Sequence, residues 1–184
     1  VVEDGQDVPV LSLTQEKKGI YYTLVINGGR DLDIRDPSGS SVFDKLRSAL
    51  VDWAVARAFA QEDAWSLVTT EGPQSTRSPD ANDWIRALEN YQPDFRNMVP
   101  QLTSLETALN MAQGRVVSFG VDKSLLYITP PPVSEDIATL NELTLQASQE
   151  GIMINVWMVG DPYFLTNQQG QALIDLASAT GGEF

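Results

Sequence analysis

The run Ile20-Tyr21-Tyr22-Thr23-Leu24-Val25-Ile26, ending at Asn27-Gly28-Gly29, decides the fold. Seven consecutive β-branched, aromatic and aliphatic residues favour a strand, and their nearly continuous apolar character calls for cover on both faces, as in a parallel sheet. Similar runs recur at 65–69, 124–129 and 152–159. Helix signals lie between them. Ser41 and Asp44 have capping-box spacing, followed by Phe43, Leu46, Leu50, Ala54 and Arg57 at helical intervals, with Val42, Val51 and Trp53 widening the apolar face. Ser78-Pro79-Asp80 predicts a cap with proline at the first helical position, opening a helix through Trp84, Ile85, Leu88 and Tyr91. Thr103-Ser104-Leu105-Glu106 has the spacing of a second capping box, and Ser134-Glu135-Asp136 predicts a further cap to a helix that Gly151 terminates. Pro130-Pro131-Pro132 stops the third strand, and a last helix over Gln168–Thr180 ends at Gly181-Gly182. Strands and helices alternate. That order predicts right-handed crossovers and a three-layer, doubly wound α/β domain, its mostly parallel central sheet carrying helices on both faces.

The 184 residues are 42% hydrophobic, enough for one domain over 1–184 that buries roughly 70% of its unfolded surface. Residues 1–19 read as a lead-in hairpin or edge strand, with a turn at Glu3-Asp4-Gly5 and Pro9 confined to an edge. The chain opens on Val1-Val2-Glu3 without a methionine and closes on Gly181-Gly182-Glu183-Phe184, which reads as a segment excised from a longer protein. It carries no signal peptide and no apolar run of membrane-spanning length. Twelve Lys and Arg against 25 Asp and Glu give a net charge of −13. Such a surface repels phosphate backbones and anionic lipid, so neither nucleic acid nor direct membrane contact is expected. The absence of histidine and cysteine excludes Ser-His-Asp and thiol catalysis, histidine-containing zinc sites, iron–sulfur clusters and disulfides. Carboxylate chemistry, oxygen-ligand metal sites and binding without chemistry remain.

In a doubly wound sheet, ligands bind outside the carboxyl ends of the strands. Those ends are Asn27-Gly28-Gly29, Thr69-Thr70-Glu71, Thr129-Pro130-Pro131 and Gly160-Asp161-Pro162, joined by the helix start at Thr103. Several features occur along the chain in a set order: a hydrophobic strand with a short polar signature, a long amphipathic helix, Thr103 to Leu109 as Thr-x-x-x-x-Ala-Leu, a strand ending Ile128-Thr129, a strand ending Trp157-Met158-Val159-Gly160, and a helix closing on Ala179-Thr180-Gly181-Gly182. Together they resemble the von Willebrand factor type A domain from about Tyr21 to Phe184, with Val2-Glu3-Asp4-Gly5 similar to the lead-in of some bacterial members.

The resemblance implies a metal-ion-dependent adhesion site on this rim, with Asp-x-Ser-x-Ser in the first loop, a Thr at the middle helix start and an Asp at the later strand end. Those positions fall on Asn27, Gly29, Asp31, Thr103 and Pro130, of which Thr103 alone matches. Asn27 keeps an oxygen without the charge, Gly29 offers no side chain, and Pro130 offers neither side-chain oxygen nor backbone N–H. Asp31 places a carboxylate where a hydroxyl belongs. A hard divalent cation needs several oxygen ligands, so the implied site is degenerate and no cofactor is expected. Thr103 is better assigned to capping than to ligation.

Other motifs weigh less. Asp31, Asp33 and Asp36 do not have EF-hand spacing, and Arg30 and Arg35 lie among them, so a solvated loop with internal ion pairs is the better reading. Gly28-Gly29 lacks the G-x-G-x-x-G spacing of a dinucleotide turn, and nothing places two acids across a cleft, so no catalytic residue is assigned. Trp53, Trp65, Trp84 and Trp157 read as core. The expected function is a non-catalytic protein-interaction module. It would bind a partner protein or a neighbouring domain of its own chain through Arg30, Asp31, Asp33, Thr103 and Pro131, with Pro130-Pro131-Pro132 either a preorganised edge or a rigid connector. The alternative is adhesion-type binding through a weak divalent cation held by Asp31 and Thr103 with Asn27 assisting. The resemblance implies an extracytoplasmic or cell-surface setting, with any membrane anchor elsewhere in the parent protein.

Overall fold

The computed structural model describes residues 2–3, 6–7, 19–58, 63–113 and 121–184. Near the start, β1 (Val2–Glu3) pairs antiparallel with β2 (Gln6–Asp7). Pro9 lies outside the described residues.

The opening apolar run forms β3 (Ile20–Ile26), parallel to β4 (Ala64–Thr69) on one side and to β6 (Asp122–Thr129) on the other. β7 (Ile152–Met158) continues the parallel sheet beyond β6, and β5 (Gly72–Ser78) folds back antiparallel on β4, giving the order β5-β4-β3-β6-β7. β5 has no sequence signal. Gly-Pro-Gln-Ser-Thr-Arg-Ser contains no apolar alternation, and its proline is tolerated because the strand lies at the edge. The two-residue turn Thr70-Glu71 creates it, and a register shift around Ser66 is bridged where the Arg77 N–H donates to Ser66 Oγ at 2.8 Å.

On one face, α1 (Val42–Arg57) and α2 (Ala81–Asn90) pack Phe43, Leu50, Trp84 and Leu88 against Leu24, Ile26, Trp65 and Leu67. On the other, α3 (Thr103–Ala112), α4 (Ile137–Gln149) and α5 (Gln168–Thr180) pack Leu105, Leu109, Leu140 and Leu173 against Tyr21, Val25, Leu125 and Ile154. The predicted three-layer, mostly parallel architecture is present. The apolar residues of β3 serve both layers, which is why its sequence shows so little alternation.

Local signals fare differently. Ser41 and Asp44 form a full capping box, with Asp44 N–H donating to Ser41 Oγ at 3.0 Å and Ser41 N–H to Asp44 Oδ2 at 2.9 Å. The cap of α2 is Asp80, which accepts from Asn82 N–H, so Pro79 stands one residue outside the helix rather than at its first position. The second predicted box is absent: Leu102 already has helical φ and ψ, and Thr103 is the first helical residue, without a side-chain cap. Residues 134–136 form a 3-10 turn leading into α4 and supply no side-chain cap. Trp65 and Trp84 are core as expected, whereas Trp53 and Trp157 are 40% and 43% exposed. Both lie on the α1 side of the sheet, where no helix among the described residues covers β6 and β7.

Candidate functional site

The carboxyl ends of β3, β4, β6 and β7 form a rim, and Asn27 is its hub. The last residue of β3 is Ile26, and the next N–H, of Asn27, still donates to Ile128 O at 2.8 Å, so the backbone holds Asn27 beside β6. Its side chain is 3% exposed. Oδ1 accepts from Gln101 N–H at 2.8 Å, and Nδ2 donates to Tyr127 Oη and Thr129 Oγ1, each at 3.0 Å. A backbone N–H can only donate, so the Gln101 contact fixes which way the amide points. Thr129 Oγ1 in turn donates to Pro130 O at 2.8 Å. One amide thus ties the β3 end, the loop ahead of α3 and the β6 end. Burial pushes the Tyr127 phenol up to about 12, against the pull of its hydrogen bonds with Thr129 and Asn27.

The two glycines permit close packing around this hub. Gly28 N–H donates to Thr70 Oγ1, and a Cβ on Gly28 would stand 2.5 Å from Met98 Sδ. A Cβ on Gly29 would stand 2.8 Å from Pro130 Cγ and 2.9 Å from Pro100 Cγ. Two proline rings therefore close over the position where a serine ligand would project. Across the rim, Pro131 packs on Gly160, whose Cβ would be 3.0 Å from Pro131 Cδ.

The other predicted residues lie around this centre. Asp31 belongs to a 3-10 turn over Arg30–Asp33, half-buried, with Oδ2 about 4.0 Å from a Cβ on Gly160. Thr103 is exposed, and its hydroxyl donates to Gln101 Oε1 at 3.2 Å. Asp33 pairs with Arg96 and, at 3.1 Å, with Arg35; these bonds, Arg96 foremost, hold its carboxyl below the usual range. Asp36 pairs with Lys45 at 2.6 Å and is held low by that contact and by Ser38. Arg30 Nε donates to Arg96 O at 3.2 Å. Sequence reading missed Tyr127, Gln101 and Pro100. A tyrosine within the apolar run Leu125–Ile128 of β6 was the one available signal, because a buried phenol needs a hydrogen-bond partner.

As a cation site this donor set fits poorly. Asn27 Oδ1 is engaged by a backbone N–H, Gly29 and Pro130 bring carbon, and Asp31 and Thr103 are the remaining oxygen donors of the five positions. No group of three or more acidic side chains gathers among the described residues. The loops that leave the strand ends expose Ile34, Val133, Tyr163 and Leu165, and the loop ahead of α3 exposes Val99.

No protein-family model matches the chain, and no curated protein sequence does. Solved structures do. The VWA domain of SpRpn10 superposes with a TM-score of 0.65 at 16% identity, covering 91% of this chain and 86% of that one. A conserved hypothetical protein, BatB from Bacteroides thetaiotaomicron, gives 0.61 at 14% identity over 91% and 88%. Proximal thread matrix protein 1 from the mussel byssus, described with a zinc-occupied MIDAS motif, gives 0.66 at 15% identity over 91% of this chain and 41% of that one. The fold of this chain is that of von Willebrand factor type A domains.

Proposed function

We propose that this von Willebrand factor type A fold serves as a non-catalytic protein-interaction module whose rim is held together without a metal ion. One observation carries the reading: the side chain at position 27 makes three hydrogen bonds within the protein, and proline rings occupy the space beside Gly29. A cation in an adhesion-type site joins separate loops through shared ligands, and here the Asn27 amide joins the same loops directly. Replacing ion coordination by an internal amide network leaves the rim rigid, and a rigid surface loses little entropy on binding. The exposed Val99, Val133 and Tyr163 supply apolar area around the stiff Pro130-Pro131-Pro132 edge, and Arg30, Asp31 and Asp33 supply polar contacts at its border.

Thermal unfolding with magnesium, manganese and calcium tests the metal-independent part. Millimolar cation is expected to leave the melting temperature unchanged, whereas a site saturated a hundredfold above its Kd would add about 2.7 kcal/mol of stability. A cation-dependent rise abolished by Asp31→Ala would replace this reading with metal-dependent adhesion. The interaction part is tested by capture with the wild-type chain and with Val133→Ser/Tyr163→Ser. A partner retained equally by both would place the contact elsewhere.

A further inference from the structure

The last third of the chain, Ser124–Phe184, holds seven Asp and Glu and no Lys or Arg. All twelve Lys and Arg precede it, and every ion pair among the described residues joins partners between Asp33 and Arg96. Charge is therefore divided across the rim. On the β3 side, Asp33, Asp36 and Asp44 are neutralised by Arg35, Arg96, Lys45 and Arg47. On the β6 and β7 side, Glu135, Asp136 and Asp161 make no ion pair with any described residue. Lys123 stands at the opposite end of β6, and Arg30 is engaged by the Arg96 carbonyl on the loop ahead of α3.

The unpaired acids border an exposed apolar patch. The loops leaving β6 and β7 touch at two points, where Pro131 packs on Gly160 and where Gln169 Nε2 donates to Ser134 Oγ at 3.2 Å. Between those points stand Val133 on one loop, 57% exposed, and Tyr163 on the other, 72% exposed, with Leu165 two residues on. Glu135 and Asp136 follow Val133 in the 3-10 turn before α4. Asp161 Oδ1 accepts from Tyr163 N–H at 2.9 Å, which keeps that carboxylate next to Tyr163. An apolar centre with a polar border is the anatomy of a protein interface, and here the charges of the border have one sign. No three acidic side chains converge closely enough among the described residues to hold a metal ion. Carboxylates spread around an exposed aromatic ring suit guanidinium or ammonium groups carried on an apolar segment, because the face of the ring attracts such cations as well.

We propose that the β6–β7 sector of the rim docks a basic, apolar segment of a partner protein. Its Lys or Arg side chains lie over Tyr163 and against Glu135, Asp136 and Asp161, and an aliphatic side chain covers Val133. The inference rests on the interaction reading above and adds the charge of the partner. The net charge of −13 steers such a segment toward the chain, and the neutralised β3 side leaves the unpaired acids as the place where it settles.

Fluorescence anisotropy with two labelled peptides of equal length, one alternating Leu with Arg and the other Leu with Glu, tests it. The Leu-Arg peptide is expected to bind and the Leu-Glu peptide to stay free. Its affinity is expected to fall several-fold as ionic strength rises from about 0.01 M to about 0.15 M and the screening length shrinks from ~30 Å to ~8 Å. Asp136→Asn/Asp161→Asn keeps the capping oxygen at position 161 and is expected to weaken binding roughly threefold to tenfold, and Tyr163→Ser by a similar factor. Asp52→Asn/Glu89→Gln removes the same charge from exposed positions on α1 and α2, and is expected to leave the affinity within about twofold of wild type. Equal losses in the two double variants would mean general attraction to an acidic chain and would overturn the site. So would preference for the Leu-Glu peptide, binding of neither peptide, or a self-association lost in Val133→Ser/Tyr163→Ser, which would seat a second copy there. The interaction reading falls separately, when a captured partner is retained equally by wild type and by Val133→Ser/Tyr163→Ser.

Discussion

Asn27 shows how much one buried side chain can join, since its amide makes three hydrogen bonds to two other segments of the rim. Asn27→Ala leaves the Gln101 N–H without a partner and takes one hydrogen bond each from the Tyr127 and Thr129 hydroxyls, in a site that is 3% exposed. An unmatched buried group costs about 1–3 kcal/mol and a lost hydrogen bond about 1 kcal/mol, so the variant is expected to lose about 2–4 kcal/mol in a urea titration. A loss below ~1 kcal/mol would remove Asn27 from the hub. Asn27→Asp asks a different question. It restores the carboxylate implied by the family pattern, but Gly29 and the Pro130 and Pro100 rings still bring no ligand to the centre. Magnesium is therefore expected to leave the melting temperature of Asn27→Asp unchanged. A rise specific to this variant would mean that the charge at position 27 was the single missing ingredient.

At the scale of elements, the two capping-box spacings separate what sequence encodes from what packing decides. Ser41-x-x-Asp44 and Thr103-x-x-Glu106 look equivalent in sequence, and only the first closes. The Asn27 Oδ1 bond to Gln101 N–H holds the chain just ahead of α3, and Leu102 enters the helix with αR geometry, so Thr103 is past the position from which a side chain could cap. That long-range tie, 74 residues apart, has no local signature. Ser41→Ala is expected to cost about 1 kcal/mol and Thr103→Ala less than about 0.5 kcal/mol by chemical denaturation. Equal costs would contradict the assignment. The parallel strands were legible because each is an apolar run between punctuating residues. β5 was not, because its place at the edge demands no apolar face and its pairing comes from the Thr70-Glu71 turn.

For the whole molecule, the alternation of strands and helices made the layered fold readable, and the apolar continuity of β3 placed it at the centre. The same continuity in β7 predicted cover on both faces, and the structure provides one, so the tryptophans expected in the core divide into a buried pair and an exposed pair. The rim positions could be listed from sequence, but not their linkage, because the bonds of Asn27 depend on Tyr127 and Gln101, placed by tertiary structure. That linkage also shapes the global response to pH. Burial pushes the phenols of Tyr127 and Tyr91 up to about 12, and that of Tyr22 upward as well. An unfolded tyrosine releases its proton near pH 10, so between roughly pH 10 and 12 the folded state holds more protons than the unfolded one and stability falls as pH rises. For Tyr127 alone a shift of about two units corresponds to roughly 2–3 kcal/mol, fully present below pH 10 and lost by about pH 12. Tyr127→Phe removes this titration together with one of the two acceptors for Asn27 Nδ2, so it starts about 1 kcal/mol below wild type at pH 8 and declines less steeply. Denaturant midpoints at half-unit steps from pH 8 to 12 are expected to show the two curves crossing at about pH 11, with Tyr127→Phe the more stable above it. Curves that stay parallel would mean that the Tyr127 hydroxyl titrates alike in both states, and that the buried hub is open to water.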